Sequence, residues 1–249
     1  MYENKLSLYY DILYSQKDYK SECELIKKYT TKTNLLDVGC GTLSHSIILS
    51  DYFTSITGID LSEPMIDVAR KKIENKNIKN IDLLSKELDE VNYDNNYENV
   101  ISMFNVVNHI LSFNELEKFF RQIHKFLKPN GQFVFDCWNG VACTIEKPLH
   151  FSTKKVNQDH YTITQETTTT TDLFNSLSTM YSTVKVYDDI SQIDEFEYII
   201  KQKLWTPNLL KELMEYIGFY DIKIIPYFND SKTASEKDYR LTFISKKSA

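Results

Sequence analysis

The chain has 249 residues, with 29 Lys or Arg against 35 Asp or Glu, so its formal net charge is −6 with histidine neutral. Hydrophobic residues make up 42% of the chain and aromatic residues 13%, which is enough to bury a core and excludes a disordered chain. The acidic balance argues against a nucleic-acid-binding protein, because such a protein needs clustered cations to neutralise phosphates.

In the first 140 residues, apolar runs typical of buried strands alternate with helical patterns. Strands are predicted at 34–38, 55–59, 81–84, 99–104 and 132–137. Helices are predicted at 44–53, 64–73 and 112–127, and Pro129-Asn130-Gly131 is predicted to form a turn. Strands that alternate with helices indicate βαβ units, and therefore a doubly wound, mostly parallel sheet of the α/β class.

Between residues 150 and 205 the pattern changes to a period of two, as in Met180, Ser182, Val184 and Val186. This alternation predicts an antiparallel β insert, in which the threonine tract 167–171 is expected to be an exposed strand or turn. Beyond it, Thr206-Pro207 opens a helix that Gly218 ends, and strands at 221–225 and 240–245 close the chain. The predicted organisation is a core of residues 1–149 and 206–249 with an insert at 150–205.

A short glycine loop is the first pointer to a site. Two of the six glycines lie in Gly39-Cys40-Gly41, which follows a predicted strand and precedes a predicted helix. Glycines there bring bare backbone against a ligand at a helix N-terminus. Asp60 ends the second strand, where a carboxylate can accept hydrogen bonds from both hydroxyls of a ribose. The order of these features predicts a ligand that contains a nucleoside.

Two residues distinguish among nucleoside cofactors. A dinucleotide oxidoreductase uses G-x-G-x-x-G, but the third glycine position is Ser44 here. Asp37 precedes the first glycine by two residues, where its carboxylate would repel a pyrophosphate but suits a ligand that carries an ammonium group. S-adenosylmethionine carries such a group together with adenosine.

The run 36–41, with Gly58-Ile59-Asp60-Leu61-Ser62 and Met65, resembles the cofactor motifs of class I S-adenosylmethionine-dependent methyltransferases. That family has a seven-stranded Rossmann-like sheet with one antiparallel strand. The resemblance implies that the following residues bind the cofactor: Asp37, Gly39, Cys40 and Gly41 at the methionine part, Asp60 at the ribose, with Leu61 next to it in the same motif, Met65, Glu87 and Leu88 at the adenine, and Met103, Phe104 and Asn105 beside the sulfonium.

Within this family, the chain is similar to N,N-dimethyltransferases that act on amino groups of nucleotide-linked deoxysugars. The similarity lies in Tyr10-Asp11-Ile12-Leu13-Tyr14, in Asn108-His109 after the fourth strand, and in Phe135-Asp136-Cys137-Trp138 at the end of the fifth. In those enzymes the antiparallel insert covers the acceptor. We therefore expect His109 to act as a general base, Tyr14 to border the methyl group, and Asp136 with Trp138 to hold the acceptor.

The N-terminal residues lack the apolar stretch of a signal peptide, and no run of apolar residues could span a membrane. Cys23, Cys40, Cys137 and Cys143 form no CxxC pair, which favours free thiols over a disulfide or metal site. We expect a cytoplasmic enzyme that acts on a small-molecule acceptor and binds no metal, nucleic acid or membrane. A monomer and a homodimer both remain open.

Two alternatives remain at this point. One keeps the reaction but methylates oxygen, in a hydroxyl or phosphoryl-type group of a small precursor such as a capsule component. Cations facing the crevice would favour a phosphate-bearing acceptor, and the candidates are Lys147, Lys154, Lys155 and Arg240. The other alternative is a non-catalytic subunit that binds the cofactor in support of a partner.

Overall fold

The computed structural model describes residues 4–248, so residues 1–3 and 249 of the predicted core lie outside it. The helices are α1 (Asn4–Leu13), α2 (Tyr19–Tyr29), α3 (Ser44–Leu49), α4 (Glu63–Asn75), α5 (Val106–His109), α6 (Phe113–Phe126), α7 (Gly140–Ile145) and α8 (Pro207–Ile217), with a 3₁₀ turn at Leu88–Glu90. The strands are β1 (Asn34–Val38), β2 (Ser55–Asp60), β3 (Ile81–Ser85), β4 (Tyr97–Ser102), β5 (Leu127–Trp138), β6 (Phe151–Gln158), β7 (Tyr161–Asp172), β8 (Leu177–Tyr187), β9 (Gln192–Lys203), β10 (Phe219–Pro226) and β11 (Arg240–Lys247).

Seven of these strands form one sheet in the order β10-β11-β5-β4-β1-β2-β3. Neighbouring strands from β5 to β3 are parallel, whereas β11 is antiparallel to both β5 and β10. The central strand β1 is buried on both faces, as its nearly continuous apolar sequence indicates. The predicted doubly wound α/β sheet with one antiparallel strand is therefore confirmed.

Three predicted boundaries were wrong, each because of local backbone geometry. Helix α3 ends at Leu49 rather than at residue 53, since a turn follows it. Strand β4 ends at Ser102 because Phe104 and Asn105 have φ values of 71° and 63°, which a strand does not accommodate. Residues 128–131 bulge out within β5 instead of preceding it, with Asn130 at φ 62°.

The remaining four strands form a separate antiparallel sheet in the order β6-β7-β8-β9, here called the insert sheet. Its side chains alternate between an inner face toward the core and an outer face toward solvent. In the threonine tract, Thr167 and Thr169 are buried on the inner face, whereas Thr168 and Thr170 are exposed. The tract is thus a strand, and only half of it is exposed as predicted.

Helix α1 joins the insert sheet to the core. On the insert side, Lys5 pairs with Asp194 at 2.5 Å. On the core side, the carboxylate of Asp11 accepts a hydrogen bond from the Thr42 hydroxyl at 2.6 Å and pairs with Lys72 at 2.8 Å. These contacts hold α1 across the carboxyl ends of β1 and β2, beside the glycine loop.

Candidate active site

A cavity of about 840 Å³ lies at the carboxyl ends of β1, β2 and β4, below α1 and β9. This position is the switch point of the sheet, where the chain passes to β2 on one side and β4 on the other, and where α/β proteins bind their ligands. The volume falls within the usual range of about 300–1,000 Å³ for ligand sites. Ten of the sixteen predicted site residues line it: Gly39, Gly41, Asp60, Leu61, Met65, Glu87, Leu88, Met103, Phe104 and His109.

The two glycines of the loop have different roles. Both have positive φ, at 73° for Gly39 and 52° for Gly41, a conformation that other residues rarely adopt. A Cβ on Gly39 would lie 2.5 Å from a methyl of Val106, so this position allows α5 to approach the loop. A Cβ on Gly41 would meet no atom within 4 Å. Gly41 therefore leaves open space in the cavity wall for a ligand.

Asp60 fixes the loop to the end of β2. One carboxylate oxygen accepts the amide N–H of Gly41 and the other that of Ser62, both at 2.8 Å. Burial raises the pKa of Asp60, and these hydrogen bonds oppose the shift. Ser62 also lines the cavity, and its buried hydroxyl has no hydrogen-bond partner among residues 4–248. Acceptor oxygens beside an unpaired hydroxyl suit the polar groups of a nucleoside.

Asp37 lies behind the glycine loop rather than in the cavity wall. Its carboxylate is 2% exposed and accepts a hydrogen bond from the Ser46 hydroxyl at 2.6 Å. Burial raises its pKa to about 6. Cys40 also faces away from the cavity, since its sulfur packs against Gly58 in β2. Both residues support the loop from beneath.

Asp136, near the end of β5, does not reach the cavity, where it was expected to contact the acceptor. It is fully buried, and one oxygen accepts the amide N–H groups of both Phe104 and Asn105. Its other oxygen pairs with Arg240 at 3.1 Å. Burial raises the pKa of Asp136, while Arg240 lowers it. Asp136 is therefore a positioning residue, because it holds the strained backbone that presents Phe104 to the cavity.

The side of the cavity expected to hold adenine is lined by Met65, Glu87 and Leu88, with Leu61 beside them. Leu61 is 66% exposed, whereas Met65 is buried and packs against residues of α1 and the insert sheet. Glu87 is exposed and caps the 3₁₀ turn that contains Leu88. This side therefore combines apolar contact surface with an acidic rim.

Of the three predicted catalytic residues, only His109 lines the cavity. Burial lowers its pKa to about 4, so its imidazole is neutral near pH 7. The ring of Tyr14 packs at 4.9 Å on Phe104 and at 4.7 Å on Tyr10, one layer behind the wall. Tyr10 lines the cavity in its place.

The insert was expected to cover the acceptor, but the individual residues that form the roof of the cavity were not predicted from the sequence. Leu6 and Tyr10 of α1 and Tyr198 and Ile200 of β9 line the cavity from above. The alternation of side chains along β9 puts Tyr198 and Ile200 on one face, but the sequence does not show which face meets the core. None of the four candidate cations (Lys147, Lys154, Lys155 and Arg240) is among the residues that line it; Lys154 instead lies over the ring of Tyr14.

Among residues 4–248, no helix is long and apolar enough to cross a membrane. The four cysteines are free thiols.

Comparison with known proteins relates the chain to methyltransferases. Residues 35–131, which include the glycine loop, β2 and β4, match the family model described as a methyltransferase domain. A putative methyltransferase of Bacillus subtilis, YqeM, is 24% identical over 96% of this chain and 94% of its own length.

A second relative shares only part of the chain. It is the dTDP-3-amino-3,4,6-trideoxy-alpha-D-glucopyranose N,N-dimethyltransferase of Streptomyces venezuelae, which is 30% identical over 55% of this chain and 59% of its own length. The crystal structure of Streptomyces venezuelae DesVI superposes with a TM-score of 0.82 at 20% identity over the whole of both chains, and so has the same fold. With a methyltransferase domain at residues 35–131 and a methyltransferase fold throughout, the chain is an S-adenosylmethionine-dependent methyltransferase.

Proposed function

We propose that this methyltransferase acts on an amino group of a nucleotide-linked sugar in glycan or metabolite biosynthesis. The observation that carries the proposal is the cavity, which extends from the glycine loop to β9 of the insert sheet. It thus has one wall suited to a nucleoside cofactor and another that belongs to the insert. The relative named as an amino-sugar N,N-dimethyltransferase supports the choice of acceptor.

We assign the lower part of the cavity to the cofactor. Gly41 leaves room for the methionine part, while Asp60 and Ser62 offer polar atoms to the ribose. Met65 and Leu88 supply apolar surface for the adenine. When bound, S-adenosylmethionine supplies a methyl group on a positively charged sulfur and leaves as a neutral thioether.

The upper part of the cavity is assigned to the acceptor. Phe104, Tyr10 and Tyr198 form an aromatic wall there, and α1 with β9 covers it. Because the leaving group is neutral, the largest contribution expected of the protein is to align the acceptor and exclude water. Alignment of reactants is worth about 7–11 kcal/mol in intramolecular models. We therefore expect the roof to matter for the rate as much as for binding.

The neutral imidazole of His109 favours an amine as acceptor. An amine reaches the site as an ammonium ion and must lose one proton before its lone pair can attack. The low pKa of His109 keeps its ring unprotonated at neutral pH and makes it a weak base, so it can relay that proton to water but does not hold it. Methylation of a hydroxyl would need a much stronger base. The oxygen-methylating alternative therefore ranks second.

The test is methyl transfer to a panel of nucleotide-linked amino sugars, measured by mass spectrometry of the products. Each amino sugar is paired with the analogue that carries a hydroxyl in place of the amine. We expect mono- and dimethylated amines and no methylated hydroxyl analogue. Turnover of the hydroxyl analogues, or of phosphate-bearing acceptors without an amine, would overturn the proposal.

A further inference from the structure

One face of α6 forms part of the wall of the large cavity. Four of its residues, spaced three or four positions apart and therefore on one side of the helix, line the cavity: Glu115, Lys118, Phe119 and Gln122. This face borders the 3₁₀ turn at Leu88–Glu90, because Lys118 pairs with Asp89 at 2.5 Å. Leu88 also packs against the apolar cluster that contains Phe119. The α6 face thus adjoins the side of the cavity that is assigned to adenine.

The charged side chains between this turn and α6 are poorly suited to read a base. The Glu87 carboxylate caps the 3₁₀ turn, and the Glu115 carboxylate accepts a hydrogen bond from the Ser112 hydroxyl at 2.8 Å. A lysine donates but cannot accept, whereas a carboxylate accepts but cannot donate. Five residues that line this part of the cavity are limited in this way: Lys86, Glu87, Asp89, Glu115 and Lys118.

Gln122 differs from these neighbours. It is partly buried and lines the cavity, and no hydrogen bond joins its side chain to another of residues 4–248. It follows Lys118 by one helical turn, about 6 Å along the axis, and helical side chains tilt toward the N-terminus. The Gln122 carboxamide therefore lies beside the ion pair with Asp89. Because a carboxamide has an accepting oxygen and two N–H donors, it can do both at once.

The polar edge of adenine requires such a group. Its 6-amino group donates hydrogen bonds, whereas the ring nitrogen next to that group accepts one. A carboxamide matches this pair of atoms, and asparagine or glutamine binds adenine through both atoms in DNA recognition. Met65 and Leu88 offer apolar surface to the faces of the base but no polar side-chain group to its edge. The edge therefore needs a partner from another element, and α6 presents one.

We propose that Gln122 recognises the base of the cofactor, with its carboxamide oxygen accepting from the 6-amino group and its NH₂ donating to the adjacent ring nitrogen. The polar contact to the base then comes from α6 instead of from Glu87, whose carboxylate caps its own turn. The inference rests on the proposed function only for the position of the cofactor in the lower part of the cavity. It does not depend on the acceptor.

The test is calorimetric titration of the full-length protein with S-adenosylhomocysteine and with its analogue that has hydrogen in place of the 6-amino group. The variants are Gln122→Leu and Gln122→Glu. The matched control is Asn114→Leu, which removes an exposed carboxamide of the same helix that does not line the cavity. In the wild type, loss of the amino group should raise the dissociation constant by about tenfold, as for one lost hydrogen bond.

Gln122→Leu should bind S-adenosylhomocysteine at least about tenfold more weakly and should bind the two ligands within about twofold of each other. Gln122→Glu keeps an accepting oxygen, so it should bind both ligands more weakly but still prefer the one with the amino group. Asn114→Leu should match the wild type. A structural role would weaken both ligands equally, so an unchanged preference in Gln122→Leu would overturn the inference. If that variant does not fold, loss of the preference in Gln122→Glu would overturn it instead.

Failure of the proposed function would look different, because the titration contains no acceptor. Methyl transfer to hydroxyl analogues but not to amino sugars, together with a lost ligand preference in Gln122→Leu, refutes the proposed acceptor and supports this role of Gln122. Methylated amino sugars with an unchanged preference in that variant give the opposite result. If the wild type does not bind S-adenosylhomocysteine at all, the assigned cofactor site and this inference both fail.

Discussion

Replacement of Asp60 by alanine should remove most of the affinity for the cofactor. Both carboxylate oxygens already hold backbone N–H groups, of Gly41 and Ser62, at 2.8 Å. Each oxygen keeps a second lone pair for a ribose hydroxyl. A hydrogen bond to a charged group contributes about 1.5–3 kcal/mol, so two of them contribute about 3–6 kcal/mol. The dissociation constant of S-adenosylhomocysteine should therefore rise by about 100-fold or more.

Isothermal titration calorimetry measures this change directly, with circular dichroism as the check on folding. Glu63→Ala is the matched control, because Glu63 is a nearby exposed acid in the first turn of α4. Asp60→Asn should fall between the two, since the amide keeps one acceptor oxygen. If Asp60→Ala binds S-adenosylhomocysteine as tightly as Glu63→Ala does, the assignment of this carboxylate to the ribose is wrong.

Three other substitutions test the charges around the site. Because burial raises the pKa of Asp37 to about 6, its ionised form costs stability above that pH and not near pH 4. Asp37→Asn should thus increase the free energy of unfolding, measured by urea titration, by up to about 3 kcal/mol at pH 8. This increase should disappear toward pH 4. An equal increase at both pH values would contradict the reasoning. Asp136→Asn should cost about 3–5 kcal/mol in the same assay, because it leaves Arg240 unpaired in a largely buried site. A loss below 1 kcal/mol would mean that Asp136 is not needed to hold the loop. His109→Asn should reduce kcat by about 100-fold. The dependence of the rate on pH near neutrality should not change, since burial lowers the pKa of His109 to about 4. A rate within a few fold of wild type would show that His109 is not the base.

The sequence predicted the features that depend on local pattern. Period-two and helical spacing located the strands and helices, because burial of one face imposes these periods on neighbouring residues. The glycine loop was also readable, since Gly39 and Gly41 occupy backbone conformations that few other residues adopt. The order of strand, loop, helix, strand and Asp60 indicated a ligand that contains a nucleoside, and Ser44 with Asp37 then favoured S-adenosylmethionine.

The roof of the cavity could not be predicted in this way. The ion pair between Lys5 and Asp194 joins residues separated by 189 positions, and no local period records such a contact. Tyr10 and Tyr198 therefore line the cavity through the packing of α1 against the insert sheet, whereas Tyr14, in the same predicted motif as Tyr10, lies behind the wall.

The same limit applies to the acidic residues. Asp37, Asp60 and Asp136 all lie at or near strand ends in the sequence, where each is a plausible ligand. Only the tertiary structure shows that Asp60 reaches the cavity while Asp136 is covered by Arg240 and the loop after β4. Thus the sequence alone determined the fold class and the glycine loop, because both depend on local backbone requirements. The roles of individual side chains were decided by neighbours that are distant in the chain.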